Sequence, residues 1–112
     1  MNVQIFGLKK CFDTQKAERY FKERKIRYQL IDLNQKGLSK GEFESVKNAI
    51  GLEDLINNKA KEYKTLNLER IRTSRIREEI LLNNPMLYKT PIVRNGKQAT
   101  IGYKPEVWKT WE

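Results

Sequence analysis

The sequence predicts an α/β fold with a small mixed sheet and the element order β-α-β, a run of helices, then β-β-α. Three observations carry that prediction. Two apolar runs flank a helical pattern within the first 33 residues, no strand signal occurs between about residues 38 and 83, and Asn95-Gly96 separates two apolar runs near the end.

Residues 2–6, NVQIF, are apolar at alternate positions, Val3 and Ile5, and end in Phe6-Gly7, which reads as a short strand running into a loop. From Asp13 the period becomes helical, with Ala17, Tyr20 and Phe21 on one face. Arg24 and Lys25 put cations at the negative end of that helix. Residues 27–33, RYQLIDL, read as a second strand. A strand–helix–strand unit of this size is a βαβ crossover, so its strands are expected to be parallel.

The middle of the chain reads as helices. Ser39 and Glu42 form a capping box, and Leu38 and Phe43 hold the two positions of a hydrophobic staple. Phe43, Val46 and Ile50 make one apolar face, and Gly51 is expected to end the helix in a left-handed conformation. Leu52, Leu55 and Ile56 predict a further short helix; Ile76, Ile80 and Leu81 predict a later one, stopped by Asn83-Asn84-Pro85. This stretch is too short to bury a core of its own. The expectation is one domain over residues 1–112 with a helical insertion over about 38–84. In residues 90–103, Asn95-Gly96 is a strong hairpin signal and Gly102 predicts a bulge. Pro105 and Glu106 then open a final helix, with Val107, Trp108 and Trp111 as its buried stripe.

Composition narrows the function classes. One cysteine forbids an internal disulfide, and with no histidine beside it no metal site is expected. A second thiol must come from outside. No apolar run approaches the roughly 18 residues of a membrane span, and residues 1–4 lack a secretory pattern. A cytoplasmic monomer without membrane contact is the expectation. The net charge of +9 admits nucleic acid, an acidic partner or simple solubility. Its densest stretch, RIRTSRIR at 70–77, is broken at once by Glu78 and Glu79 and carries no zinc-finger or RNA-recognition signature. A solvated face is the reading, and no direct nucleic-acid partner is expected.

The single cysteine lies in GLKKCFDTQKAERYF, residues 7–21, after two lysines and before the first helix. Most free cysteines are buried small hydrophobes; this placement argues for chemistry. Unpaired N–H groups at a helix start favour an anion, by about 0.3–1 kcal/mol when exposed and about 2 kcal/mol when partly buried. Lys9 and Lys10 add cations, so Lys10 is a candidate thiolate stabiliser. Thr14, three residues on, is placed to donate its hydroxyl to the sulfur. A free thiol with a pKa of about 8.5 is mostly protonated at neutral pH, so these groups would be what makes Cys11 a nucleophile. Pro91, in KTPIV, precedes a strand where either a cis or a trans bond fits.

Three segments, KKCFDTQKA (9–17), IGLEDLINNKAKEYKTL (50–66) and NNPMLYKTPIVRNGKQATIGYKPEVWKTW (83–111), resemble the arsenate reductase (ArsC) and Spx family across nearly the whole chain. The resemblance implies a thioredoxin-like fold, Cys11 as the redox thiol, and a cis Pro91 facing it. It also implies that Thr90 and Pro91 contact the peptide part of a thiol partner. Two departures limit the transfer. Spx proteins commonly carry C-x-x-C, and Thr14 stands at the second cysteine's place. Arsenate-reducing members resemble C-x-x-S/T, which this chain satisfies, but their three arginines fall on Asn57, Thr90 and Lys104. A hydrogen bond to a charged group contributes about 1.5–3 kcal/mol, so losing two weakens anion affinity about 10²–10⁴-fold. Lys104 remains an anion-binding candidate with a charge but no bidentate fork. Lys10, Lys59, Lys89 and Arg94 are the cations available to compensate.

The resemblance implies two functions. One is a thiol–disulfide oxidoreductase that uses Cys11 alone, with no bound cofactor, and is resolved by glutathione or a reducing protein; arsenate reduction is its subcase. The alternative is an Spx-like transcriptional regulator that binds the RNA polymerase α subunit. For that role Gly51 occupies a place resembling a glycine of Spx at its polymerase contact, ending a helix being the plainer explanation.

Overall fold

The residues predicted as strands pair into one sheet of order β2-β1-β3-β4, made of β1 (Val3–Gly7), β2 (Tyr28–Asp32), β3 (Ile92–Asn95) and β4 (Gln98–Ile101). The structure is a computed structural model and describes residues 1–111. β1 runs parallel to β2 and antiparallel to β3, and β3 runs antiparallel to β4, so the sheet is mixed. The cause lies in the connections. β1 reaches β2 through helix α1 (Phe12–Glu23), a crossover that returns the chain in the same direction, whereas a two-residue turn can only reverse it.

Strand alternation sorts the core onto two faces. Val3, Ile5 and Val93 meet Ala17, Tyr20 and Phe21 of α1 and Trp108 of α6 (Pro105–Trp108). Trp108 is fully buried there because its indole N–H donates to Thr100 Oγ1 at 2.8 Å while its ring packs 5.1 Å from those of Tyr20 and Phe21. On the opposite face, Phe6, Ile31 and Ile92 meet Phe43, Val46, Leu55, Leu68, Leu81 and Leu87. These come from α2 (Lys40–Ile50), α3 (Leu52–Leu55), α5 (Ser74–Asn83) and two 3₁₀ turns, with α4 (Lys61–Thr65) between. The helical stretch therefore uses the sheet as its core. Among the described residues, no helix is long and apolar enough to cross a membrane.

Local signals held where partners are close in sequence. Glu42 N–H donates to Ser39 Oγ at 3.2 Å and Ser39 N–H to Glu42 Oε1 at 2.8 Å, closing the capping box. Three details differ from expectation. The register pairs Asn95 with Gln98, so the turn is Gly96-Lys97; Gly96 alone has positive φ (61°), the sign pattern of a type II′ turn. Gly51 ends α2 at φ 106° and ψ 145°, a glycine conformation outside the left-handed helical region. Gly102, at φ 83°, follows β4 as a bend, because the β3–β4 register runs without an extra residue.

The arginine-rich stretch is not uniformly solvated. Arg77 turns inward and donates to the Leu68 carbonyl at 2.7 Å and the Ile71 carbonyl at 2.6 Å. It also pairs with both oxygens of Glu53, at 3.1 and 3.0 Å. Arg70, Arg72 and Arg75 remain exposed.

Candidate active site

Cys11 lies where β1 hands the chain to α1. A tight turn, closed by Cys11 N–H donating to the Leu8 carbonyl at 3.0 Å, brings the chain off the sheet. Cys11 is the N-cap of α1 in extended conformation (φ −82°, ψ 119°), and its carbonyl accepts the first helical bond, from Gln15 N–H at 3.1 Å. The sulfur is half-buried. Backbone N–H groups of Asp13 and Thr14 face it and favour its charged form, although neither closes a capping hydrogen bond of full geometry.

Two hydroxyls converge on this sulfur from opposite ends of the sequence. Thr90 Oγ1 donates to Sγ at 3.3 Å, across 79 positions of chain. Its carbonyl lies 4.0 Å away, an acceptor for the thiol proton when the sulfur is neutral. Thr14 is fully buried; its Oγ1 accepts from Leu8 N–H at 3.4 Å, which leaves its own proton for the sulfur. The Thr90–Pro91 bond is cis, and Pro91 is buried beside β3. Partial burial pushes the Cys11 pKa up. The hydroxyls of Thr14 and Thr90, followed by the N–H groups of Thr14 and Asp13, outweigh that, and the net value is lowered from that of a free thiol.

Lys10 is exposed in the turn, and the groups that lower the pKa are neutral donors. Lys104 is exposed ahead of α6, and its side chain enters no hydrogen bond or ion pair among the described residues. Asn57 is a turn residue, its N–H on the Leu87 carbonyl at 2.7 Å and its Oδ1 accepting Lys59 N–H at 3.0 Å. Arg94 is committed elsewhere, to Gln4 Oε1 at 2.6 Å and Ser45 Oγ at 3.1 Å.

Two features escaped the sequence reading. Thr90 was expected to touch a bound partner, and its hydroxyl reaches the sulfur itself. Gly7 was read as the start of a loop, yet it belongs to β1, and a Cβ there would lie 2.5 Å from Thr14 Oγ1. The Phe6-Gly7 pair was the available signal. A glycine ending a strand often marks close backbone approach, here of the threonine that serves the sulfur.

A thiol at the β1–α1 junction, facing a cis-proline ahead of β3 in a sheet of this order, is the arrangement of thioredoxin-like redox proteins. The chain belongs to the ArsC family, which it matches over residues 6–111. It is 28% identical to the global transcriptional regulator Spx 2 of Oceanobacillus iheyensis, over 92% of this chain and 78% of that protein. Among solved structures it superposes on an arsenate reductase from Vibrio cholerae with a TM-score of 0.83, at 24% identity, covering 96% of this chain and 94% of that one. The glutaredoxin-like NrdH-redoxin of Escherichia coli shares the fold more distantly, with a TM-score of 0.50 and 12% identity over 100% and 96% of the two chains.

Proposed function

We propose that this protein is a thiol–disulfide oxidoreductase in which Cys11 is the sole nucleophile. The observation that carries the reading is the Thr90 hydroxyl donating at 3.3 Å to a half-buried sulfur at a helix start. In the first step the Cys11 thiolate attacks the glutathione sulfur of a mixed disulfide. A Cys11–glutathione bond forms, and the substrate sulfur leaves as a thiolate that takes a proton from water. In the second step the thiolate of another glutathione attacks the same sulfur, releasing oxidised glutathione and the Cys11 thiolate. The sum reduces one mixed disulfide at the expense of one glutathione. A protein thiol can serve as resolver in its place. A thiol of lowered pKa also leaves faster, so the two hydroxyls assist both steps. Thr90 and Pro91 align the peptide portion of the partner, and the reading calls for no bound cofactor and for a reducing, cytoplasmic setting.

Arsenate reduction is the demanding subcase, because Asn57 and Thr90 stand where the family's arginines bind the oxyanion. Turnover is expected to be slow, to vanish in Cys11→Ser and to improve in Thr90→Arg. Mass spectrometry after exposure to oxidised glutathione, with and without arsenate, tests the reading directly. One glutathione per chain, absent from Cys11→Ser, is expected. An alkylation midpoint for Cys11 at or above the free-thiol value of about 8.5 overturns it.

The relationship to Spx 2 favours a second reading, a regulator that docks on the RNA polymerase α subunit. Gly51 carries little of its weight, because φ 106° by itself calls for glycine there. Failure of the α subunit to retain the protein at low salt ends this alternative.

A further inference from the structure

Beyond the thiol, α1 and the segment leading into α6 enclose an open groove of about 380 Å³. Lys16 and Arg19 line it from α1, Arg24 from the helix's C-cap and Lys109 from the far side, four cations against the single carboxylate of Glu23. None of these five takes part in an ion pair among the described residues. Two of the cations are held in place by rings. Lys16 Nζ lies 5.7 Å from the centroid of Tyr103, and the Arg24 guanidinium lies 3.7 Å from that of Tyr20, a ring itself packed on Trp108. A surface with four cations, one carboxylate and no ion pair between them is preorganised for an anionic ligand.

Short chain connections link the groove to the residues around the sulfur. Thr90 touches Sγ, Pro91 accepts Gly102 N–H at 2.8 Å, and Tyr103 comes next in the chain. Along α1, Lys16 and Arg24 stand about 7.5 and about 20 Å past Cys11 by helical rise. An extended peptide advances about 3.3 Å per residue, so those distances correspond to about two to six residues.

We propose that this groove docks an acidic stretch of the disulfide-bearing protein partner, with its carboxylates about two to six residues from the cysteine that Cys11 attacks. The inference rests on the thiol–disulfide reading above and names the substrate class for it: proteins whose reactive cysteine is flanked by Asp or Glu. A nucleic acid fits less well, because the groove is short, carries Glu23 within it and leads to a nucleophile for which nucleic acid offers no disulfide.

The test measures binding apart from thiol chemistry. A labelled peptide with a blocked cysteine followed by six residues rich in Glu is titrated against the Cys11→Ser chain by fluorescence anisotropy at low salt, beside a Gln counterpart. Binding of the acidic peptide alone is expected. Arg19→Glu with Lys109→Glu should weaken it roughly tenfold, and Arg19→Gln with Lys109→Gln should weaken it less. Lys61→Glu with Lys97→Glu, the same charge change outside the groove, should leave it within about twofold. Equal affinity for the neutral peptide, or equal loss in the control pair, overturns the proposal. So does displacement of the peptide by a smaller concentration of a single-stranded oligonucleotide of matched charge. Iodoacetamide alkylation of Cys11 in the groove variants separates the two claims: slow alkylation in every chain refutes the thiol reading, while groove binding is scored on its own.

Discussion

Replacing Thr90 by valine isolates one of the two hydroxyls on the sulfur without changing side-chain shape. The lost interaction is an O–H donor 3.3 Å from Sγ, stronger for a thiolate than for a thiol. Hydrogen bonds to charged groups contribute about 1.5–3 kcal/mol. The sulfur is half-exposed and water can replace part of the loss, so the lower end applies, about a tenfold smaller thiolate fraction below the midpoint. A more basic thiolate is also a better nucleophile, with a Brønsted coefficient of about 0.4–0.5, so each remaining anion reacts about threefold faster. The second-order rate of iodoacetamide alkylation, measured against pH, reads both effects. At neutral pH the variant should react about threefold more slowly, and at high pH about threefold faster, so the two curves cross. A midpoint that stays where it is, or curves that scale without crossing, would refute the assignment of Thr90 as a thiolate donor.

Gly7→Ala should injure the same site indirectly. Its Cβ would meet Thr14 Oγ1 at 2.5 Å and Cγ2 at 2.6 Å in a fully buried position, so a cost of about 1–3 kcal/mol in urea unfolding should accompany a raised alkylation midpoint. Arg77→Ala removes a guanidinium bonded to the Leu68 and Ile71 carbonyls and should lower stability by about 2–3 kcal/mol, whereas Glu53→Ala, at a mostly exposed partner, should cost less than about 1 kcal/mol. Glu42 supplies a pH dependence. Burial raises its pKa, but the Ser39 N–H, the Gln4 amide, the Ser39 hydroxyl and Lys36 lower it further, to a net value below the ordinary 4.5. Its contribution is therefore complete above about pH 4.5 and is lost as pH falls through the lower folded value. Glu42→Gln should cost less than about 1 kcal/mol at pH 7, and the difference from the natural chain should shrink under acid, as urea midpoints at pH 7 and pH 3 will show.

Features held together by neighbours in sequence were legible in the chain itself. The Ser39–Glu42 box closes across three residues, the α1 face repeats with the helical period, and one strand–helix–strand passage forces β1 and β2 parallel. The cysteine's place at the head of α1 was legible for the same reason. The hairpin was found but shifted by one residue, because its register is set by how β3 sits against β1 and β4 and not by the turn dipeptide alone. What surrounds the sulfur was decided by tertiary structure. Thr90, 79 positions away from Cys11, bonds it. Sheet pairing of β1 with β3 brings that threonine home, and a glycine in β1 leaves room for the second one. Composition and period report what each residue prefers locally; a hydrogen bond of a few ångströms depends on where the packed sheet delivers the far end of the chain.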